Sequence, residues 1–189
     1  TLARSDAGQL ELVQTPVDLS LLLQEVGQQH LILFDGQNVH LDMEIEDDIE
    51  VTGEASQLER TMMNLLSNAF KHAPEHSTIN LSGQAIDGSA IISISDEGAG
   101  IAKEQQEHLF DRFFRADDAR CRKEGEGAGL GLAICKRIVD AHDGDIWVVS
   151  KLSEGATFFI RLPLAGADPA LKKRLDNILL DEPESKDGL

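Results

Sequence analysis

The sequence predicts an α/β fold, a two-layer sandwich in which a mixed β-sheet carries its helices on one face. Three observations predict it: the strand-like segments come in hairpin pairs, the helical segments each carry one apolar stripe, and regular βαβ crossovers are absent. A helix with a single apolar stripe must bury that stripe against another element. We therefore expect the helices to form one layer over the sheet.

The first half of the chain contains two helices and a strand. After Pro16, a helical face is formed by Leu22, Leu23, Val26, His30 and Leu33. Residues 39–45 alternate between apolar and polar side chains, which is typical of a half-buried strand. A second helix is predicted over residues 55–73 and ends at Pro74. Its buried stripe is predicted to consist of Leu58, Met62, Leu65 and Ala69.

The second half is predicted to contain two hairpins separated by a helix. Strands at 79–86 and 90–95 flank the turn residues Asp87-Gly88, and strands at 146–150 and 157–162 meet near Glu154-Gly155. Between the hairpins lie a charged excursion, residues 101–124, and a glycine-rich loop that leads into a helix. Beyond Pro163 we expect a helix that starts at Asp168-Pro169, with a stripe of Leu171, Leu175, Ile178 and Leu179. Residues 181–189 are predicted to be disordered.

Composition limits the partners. With 189 residues and 41% hydrophobic content, the chain is long enough for one main domain with a normal core. A formal net charge of −17 argues against nucleic acid and anionic membranes as partners, and an anionic ligand would require local clusters of Lys and Arg.

The cysteines and the apolar segments indicate where the protein is located. Cys121 and Cys135 have no metal-ligand spacing, so we expect free thiols in a reducing cytosol. No apolar run reaches the length of a membrane span, and no signal peptide opens the chain. The chain begins at Thr1 within what reads as the end of a helix, so we expect a fragment of a longer protein.

The glycine-rich loop, residues 125–131, is the strongest chemical signal. Alternate glycines allow close backbone approach to a ligand, and the helix that follows offers its positive N-terminus to an anion. The segment contains neither the GxGxxG pattern of dinucleotide sites nor the Gly-Lys-Ser/Thr of a P-loop. A flexible linker in front of a core helix would look the same in isolation.

Two further patterns carry chemistry. On the helix 55–73, Arg60, Asn64, Asn68 and Lys71 form a polar stripe, where Asn68 could offer an oxygen to Mg²⁺ and Lys71 could meet phosphate. A strand then delivers Asp96 to a turn containing Gly98 and Gly100, and this carboxylate could accept a hydrogen bond from an exocyclic amine such as that of adenine. Taken alone, the first pattern is also typical of a solvated helix face and the second of an ordinary turn.

Five segments in order resemble the ATP-binding catalytic domain of bacterial sensor histidine kinases, a superfamily that also contains DNA gyrase, MutL-type and Hsp90-type ATPases. They are NLLSNAFKHA, DEGAGI, LFDRFFRAD, GEGAGLGLAI and GATFFIRLP. The resemblance covers residues 15–163 and implies a Bergerat-type ATP-binding fold with a flexible lid. It also implies that residues 1–14 end a dimerisation and phosphoacceptor helix, and that 164–189 form a C-terminal tail.

The resemblance assigns roles to individual residues. Asn68 would be the Mg²⁺ ligand, supported by Asn64, with Lys71 on phosphate and Asp96 reading the adenine amine. The remaining nucleotide contacts would come from His72, Gly98, Gly100, Ile101, Phe110, Gly127, Gly129, Leu130, Gly131, Leu132 and Thr157. Residues 102–128 would form the lid, with its hinge anchored by Phe110, Phe113 and Phe114. Arg112 and Arg115 would lie over the nucleotide and, together with Lys71, Arg120, Arg122 and Lys123, would supply local positive charge.

The implied activity is transfer of the ATP γ-phosphoryl group to a histidine on the preceding dimerisation domain, for relay to a response regulator. Hydrolytic members carry glutamate where this chain has Asn64, which cannot act as a base. The pair His142-Asp143 precedes a helix-breaking glycine and is interpreted as structural. A non-catalytic ATP-sensing module and a hydrolytic ATPase remain the alternatives.

The resemblance further implies that the parent protein is a homodimer and that this domain lies in the cytoplasm. It leaves open whether the parent protein is anchored in the inner membrane. Three features depart from the pattern: Glu126 in the loop, His72-Ala73 after Lys71, and the tail.

Overall fold

The computed structural model describes residues 13–34, 36, 38–114 and 130–167. Its elements, in chain order, are β1 (Thr15–Asp18), α1 (Leu19–Leu33), β2 (His40–Ile45), β3 (Glu50–Gly53), α2 (Ala55–His72), β4 (Thr78–Ile86), β5 (Ser89–Asp96), α3 (Lys103–Gln106), α4 (Gly131–Ala141), β6 (Asp145–Ser150) and β7 (Ala156–Pro163).

Five strands form one mixed sheet in the order β2-β4-β5-β7-β6. β2 pairs parallel with β4, and the other neighbours pair antiparallel. In the helical layer, α2 contacts both α1 and α4, and the three helices pack on one face of the sheet. The predicted two-layer α/β sandwich is therefore confirmed. We call the face under the helices the inner face and the opposite one the outer face.

The core lies between the two layers and follows from strand alternation. In β5, Ile92 and Ile94 are buried, and in β7, Phe158 and Ile160 are buried, while their chain neighbours lie on the outer face. From the helical layer, α2 contributes its whole predicted stripe, which is Leu58, Met62, Leu65 and Ala69. α2 ends at His72, followed by Ala73 in an extended conformation, as expected for the residue that precedes Pro74.

The structure departs from the predicted elements at the end of α1, at two short strands and at α3, a four-residue helix within the predicted excursion. Leu33 was assigned to the helical face of α1, but it is 65% exposed at the last residue of the helix, while the next residue, Phe34, packs against the core. The strands β1 and β3 were not predicted, since each has only four residues and too little alternation to be recognised. They form a separate antiparallel pair, in which Pro16 tolerates its missing N–H because β1 has a single pairing partner.

No helix in the described ranges is long and apolar enough to cross a membrane. The predicted helix after Asp168, the disorder predicted for 181–189 and the first twelve residues lie outside the described part of the chain.

Candidate functional site

Asp96, the last residue of β5, is a buried carboxyl at the end of a central strand. It is 7% exposed, and its Oδ1 accepts a hydrogen bond of 2.8 Å from the Gly98 amide. Burial raises the pKa of Asp96 because the charged form loses hydration, and the Gly98 amide, His72 and the Ala156 amide oppose that shift. The site therefore holds a buried carboxyl with backbone partners at Gly98 and Ala156, and a carboxylate has further lone pairs with which to accept from a ligand.

Three glycines let the backbone close tightly around Asp96. A Cβ on Gly98 would lie 2.7 Å from Asp96 Oδ1 and 2.7 Å from the carbonyl oxygen of His72. Gly155 has φ +80°, and its Cβ would lie 1.9 Å from the Asp96 carbonyl oxygen. Gly100 has φ +71°, and its Cβ would lie 2.0 Å from the carbonyl oxygen of Lys151. A side chain at any of these positions would force the neighbouring backbone to shift, so the DxGxG segment is more closely packed than an ordinary turn.

Polar side chains clamp this turn to the β6–β7 hairpin. Ser150 Oγ accepts from the Ile101 amide at 2.8 Å and donates to the Gly155 carbonyl at 2.6 Å. Gln106 Nε2 donates to the carbonyls of Ile101 and Ser150, at 2.8 and 2.9 Å. Sequence reasoning missed Ser150 and Gln106, because neither belongs to a recognisable motif and their partners come together only through the sheet.

Asn64, on the polar stripe of α2, faces the start of α4. Asn64 and Asn68 are half-buried, and Asn64 Oδ1 lies 3.8 Å from the position of a Cβ on Gly131. Lys71 is exposed in the last turn of α2. Burial raises the pKa of the Cys135 thiol to about 12, and its hydrogen bond with Asn64 opposes the shift. Asn64 is therefore held between α2 and α4 rather than being a freely solvated side chain.

α4 presents its N-terminus to this stripe. The helix begins at Gly131, and Leu130 at the N-cap position has no side-chain oxygen to accept from the first-turn amides. Those amides and the helix dipole together favour an anion. The start of α4 therefore offers an anion site next to Asn64.

Thr157 does not join the other predicted site residues. Its Oγ1 shares a hydrogen bond of 2.9 Å with Ser95 Oγ on the outer face, whereas Asp96 and its register partner Ala156 are buried on the inner face. Alternation along a strand places neighbouring side chains on opposite faces, so the buried neighbour of Asp96 is Ala156.

The described part of the predicted lid is only partly as expected. Phe110 and Phe114 pack against the core, as a hinge anchor should, but Phe113 is 72% exposed with φ +66° and anchors nothing. Arg112 is exposed, and Leu132 packs against the core. Eight residues of the predicted lid and glycine-rich loop lie outside the described ranges: Arg115, Arg120, Cys121, Arg122, Lys123, Glu126, Gly127 and Gly129.

His142 is structural, as predicted. It is 4% exposed, its Nδ1 donates to the Ile138 carbonyl at 2.7 Å, and its Nε2 accepts from the Glu54 amide at 3.0 Å. Both ring nitrogens are used to join α4 to the start of α2.

The geometry can be compared with known proteins. Residues 53–166 match the family model described as "Histidine kinase-, DNA gyrase B-, and HSP90-like ATPase". The chain belongs to this family. Similar curated proteins include the sensor-like histidine kinase SenX3 of Mycobacterium tuberculosis, 38% identical over 149 residues, which are 79% of this chain and 36% of SenX3. The signal transduction histidine-protein kinase BaeS of Escherichia coli is 33% identical over 163 residues, 86% of this chain and 35% of BaeS.

Solved structures agree with this membership. The mycobacterial sensor histidine kinase MprB matches with a TM-score of 0.70 and 29% identity, over 80% of this chain and 98% of that one. Full-length ShkA in complex with AMPPNP matches with a TM-score of 0.73 and 28% identity, over 84% of this chain and 32% of that one. The chain is therefore a catalytic ATP-binding domain of the sensor histidine kinase type. It spans about a third of the length of the curated relatives named above.

Proposed function

We propose that this domain binds Mg²⁺-ATP along α2 and transfers the γ-phosphoryl group to a histidine on a preceding dimerisation domain of its parent protein, for relay to an aspartate of a response regulator. One observation carries the proposal: α2 meets the anion site at Asn64 and the Asp96 turn at His72. The eight residue-to-residue steps from Asn64 to His72 span about 12 Å of helix, enough for a nucleotide to lie along it. The parent protein would be a homodimer with this domain in the cytoplasm, whether or not it is anchored in the inner membrane.

The adenine would bind at the Asp96 end of α2. The buried carboxylate accepts a hydrogen bond from the exocyclic amine of adenine, whereas guanine would present a carbonyl oxygen to it and be repelled. We assign the wall of this pocket to His72, Gly98, Gly100 and Ile101. The last three follow Asp96 in its turn, and the carbonyl oxygen of His72 lies next to Gly98. The structure supports Ala156 in place of Thr157 as the neighbouring strand residue.

The triphosphate would lie at the Asn64 end. Its backbone contacts would come from the N-cap and first turn of α4, at Leu130, Gly131 and Leu132. Its positive charge would come from Lys71 and Arg112, which are both exposed. Phe110 supports the segment that carries Arg112. We extend the phosphate site to Gly127, Gly129 and Arg115 on the sequence motif alone.

The residues present fit a magnesium ion. Asn68 and Asn64 offer half-buried amide oxygens one turn apart, and Mg²⁺ takes few protein ligands because it keeps several waters. Within the described ranges, no cluster of three or more His, Cys, Asp or Glu offers another site. We assign Asn68 as the ligand. When bound, the ion would neutralise charge on the phosphate oxygens.

Asn64 favours transfer over hydrolysis. An amide cannot take a proton from water at neutral pH, so this position orients groups without serving as a base. Glu59, the nearest acidic residue on α2, is exposed and lies off the stripe. Phosphoryl transfer needs positioning and charge stabilisation more than covalent chemistry, which matches the groups present.

The test is incubation with γ-labelled Mg²⁺-ATP, using the domain joined to the dimerisation segment of its parent protein. We expect acid-labile, base-stable label on that segment and little free phosphate. Stoichiometric phosphate release without label would identify a hydrolase, and nucleotide binding with neither product would identify a sensing module. Either result would refute the proposal.

Asn68→Asp should lower the transfer rate by about 10²-fold, because it adds a negative charge beside the triphosphate. The matched control is Asn80→Asp, the same substitution at an exposed position on β4, which should leave the rate unchanged. Equal rates in the two variants would contradict the assignment of Asn68.

A further inference from the structure

The outer face of the sheet carries an apolar platform at its β6 edge. Trp147 and Phe159 stack with ring centroids 5.3 Å apart and an interplanar angle of 10°. Trp147 is 38% exposed, and Val149, two residues along the same face, is 59% exposed. Further in, the face becomes polar, with Ser82 and Ser93 hydrogen-bonded at 2.7 Å. We call Trp147, Val149 and Phe159 the outer platform.

The chain reverses direction at the end of the sheet after β7. Leu164 donates to the Gly88 carbonyl at 3.1 Å, and Ala165 donates to the Glu50 carbonyl at 2.8 Å. A reverse turn then closes with the Ala167 amide on the Leu164 carbonyl at 3.0 Å, and Gly166 has φ +74° as in a type II turn. The inner face is filled by α1, α2 and α4, so the outer face is the sheet surface left for a reversed chain.

The sequence that follows has the length and pattern to cover the platform. Residues 169–180 carry an apolar stripe of Leu171, Leu175, Ile178 and Leu179. Twelve helical residues would span about 18 Å, close to the roughly 20 Å of strand from Pro163 to Thr157.

The charges near this end of the sheet are complementary to those of the segment that follows. The segment 172–174 reads Lys-Lys-Arg, a concentration of positive charge in a chain of net charge −17. The end of the sheet nearest to Ala167 carries the acidic side chains of Asp87, Asp143 and Asp145, the last of which pairs with Arg161. Opposite charges on the two surfaces would orient the segment.

From these observations we propose that residues 169–180 of this same chain dock as an amphipathic helix on the outer platform. The surface is on the opposite side of the sheet from the ATP site, so the proposal does not depend on the proposed function. Burial of the apolar stripe against Trp147 and Val149 would supply the stabilisation.

The single tryptophan of the chain makes the test direct, because Trp147 reports its own burial. Truncation after Ala167 should shift the Trp147 emission to longer wavelength and raise its acrylamide quenching constant. Truncation after Leu180 is the control and should change neither. A synthetic peptide of residues 168–180 should reverse the shift in the first variant, saturably and more weakly at high salt.

A point variant guards against misfolding of the truncated chain. Leu175→Asp should reproduce the emission shift in the full-length chain with an unchanged far-ultraviolet circular dichroism spectrum. Asn177→Asp, on the opposite side of the predicted helix, should not. Identical emission and quenching in the full-length, truncated and Leu175→Asp proteins would overturn the proposal. A shift that appears on dilution of the full-length chain would also overturn it, because a second copy would then be the occupant.

Discussion

Among individual residues, Asp96 is a carboxyl group whose charged form is destabilised by burial. Its buried position raises its pKa, so the folded state holds the proton more tightly than the unfolded chain. The resulting stabilisation is present at low pH, below the ordinary pKa of aspartic acid, and is lost as the pH rises through the raised pKa of the folded state. At neutral pH the buried carboxylate therefore costs stability, a cost that is consistent with retention for ligand binding.

Asp96→Asn should remove this pH dependence. As the pH rises from about 4 to 7, the free energy of unfolding of the wild type should fall relative to that of the variant. Urea denaturation of both proteins at several pH values measures the difference, and Glu97→Gln, an exposed neighbour, is the control. The same variant should lose preference for ATP over GTP in a binding assay. A difference that does not change with pH would contradict the burial argument.

Gly155 and Gly166 separate the effect of close packing from that of backbone conformation. Both have positive φ, but a Cβ on Gly155 would lie 1.9 Å from the Asp96 carbonyl, while one on Gly166 would meet nothing within 4 Å. Gly155→Ala should cost about 2–5 kcal/mol in unfolding free energy, the sum of left-handed strain and overpacking. Gly166→Ala should cost only the strain, about 1–2 kcal/mol. Equal losses in chemical denaturation would show that the close approach is relieved elsewhere.

Among the secondary-structure elements, α2 is the one that joins core and site. Its apolar stripe fills the space between the layers, and Asn64 of its polar stripe faces α4. Leu58, Met62 and Leu65 could be assigned from the sequence, because helical periodicity needs no partner to be recognised. The partner of the polar stripe could not be assigned from α2 alone, because α4 follows about sixty residues later.

The start of α1 tests a local prediction. The side chain of Asp18 accepts a hydrogen bond of 2.9 Å from the Leu21 amide and caps the helix. Asp18→Ala should lower the free energy of unfolding by about 1 kcal/mol. Asp47→Ala, an exposed aspartate in the loop between β2 and β3, should change it by less than about 0.5 kcal/mol. Denaturant unfolding of the two variants decides between a cap and a general loss of acidic charge.

For the whole molecule, stability should depend on the single core between the sheet and the helical layer. Ile94, in the centre of β5, is 1% exposed, while Ile86 at the end of β4 is 46% exposed. Ile94→Ala should cost about 2–5 kcal/mol, and Ile86→Ala less than about 1 kcal/mol. Thermal and urea unfolding of the two variants test this. Similar losses would mean that the sheet is not packed as described.

The α/β class, the limits of α2 and the two hairpins could be predicted from the sequence alone. These are local properties: periodicity, turn residues and capping act over a few neighbouring positions. Asn64, Asn68, Lys71, Asp96 and Gly98 could be proposed as site residues because they stand in short motifs that resemble those of the histidine kinase family.

The contacts across the sheet and between the layers could be identified only in the folded structure. Ser150 and Gln106 became visible as the clamp of the Asp96 turn, and Gly155 proved to be required by a contact with a carbonyl far along the chain. Thr157 was separated from Asp96 by one residue of strand register. The physical reason is the same in each case: strand pairing sets which side chains share a face, and the partner lies too far away in the sequence for any local pattern to reveal it.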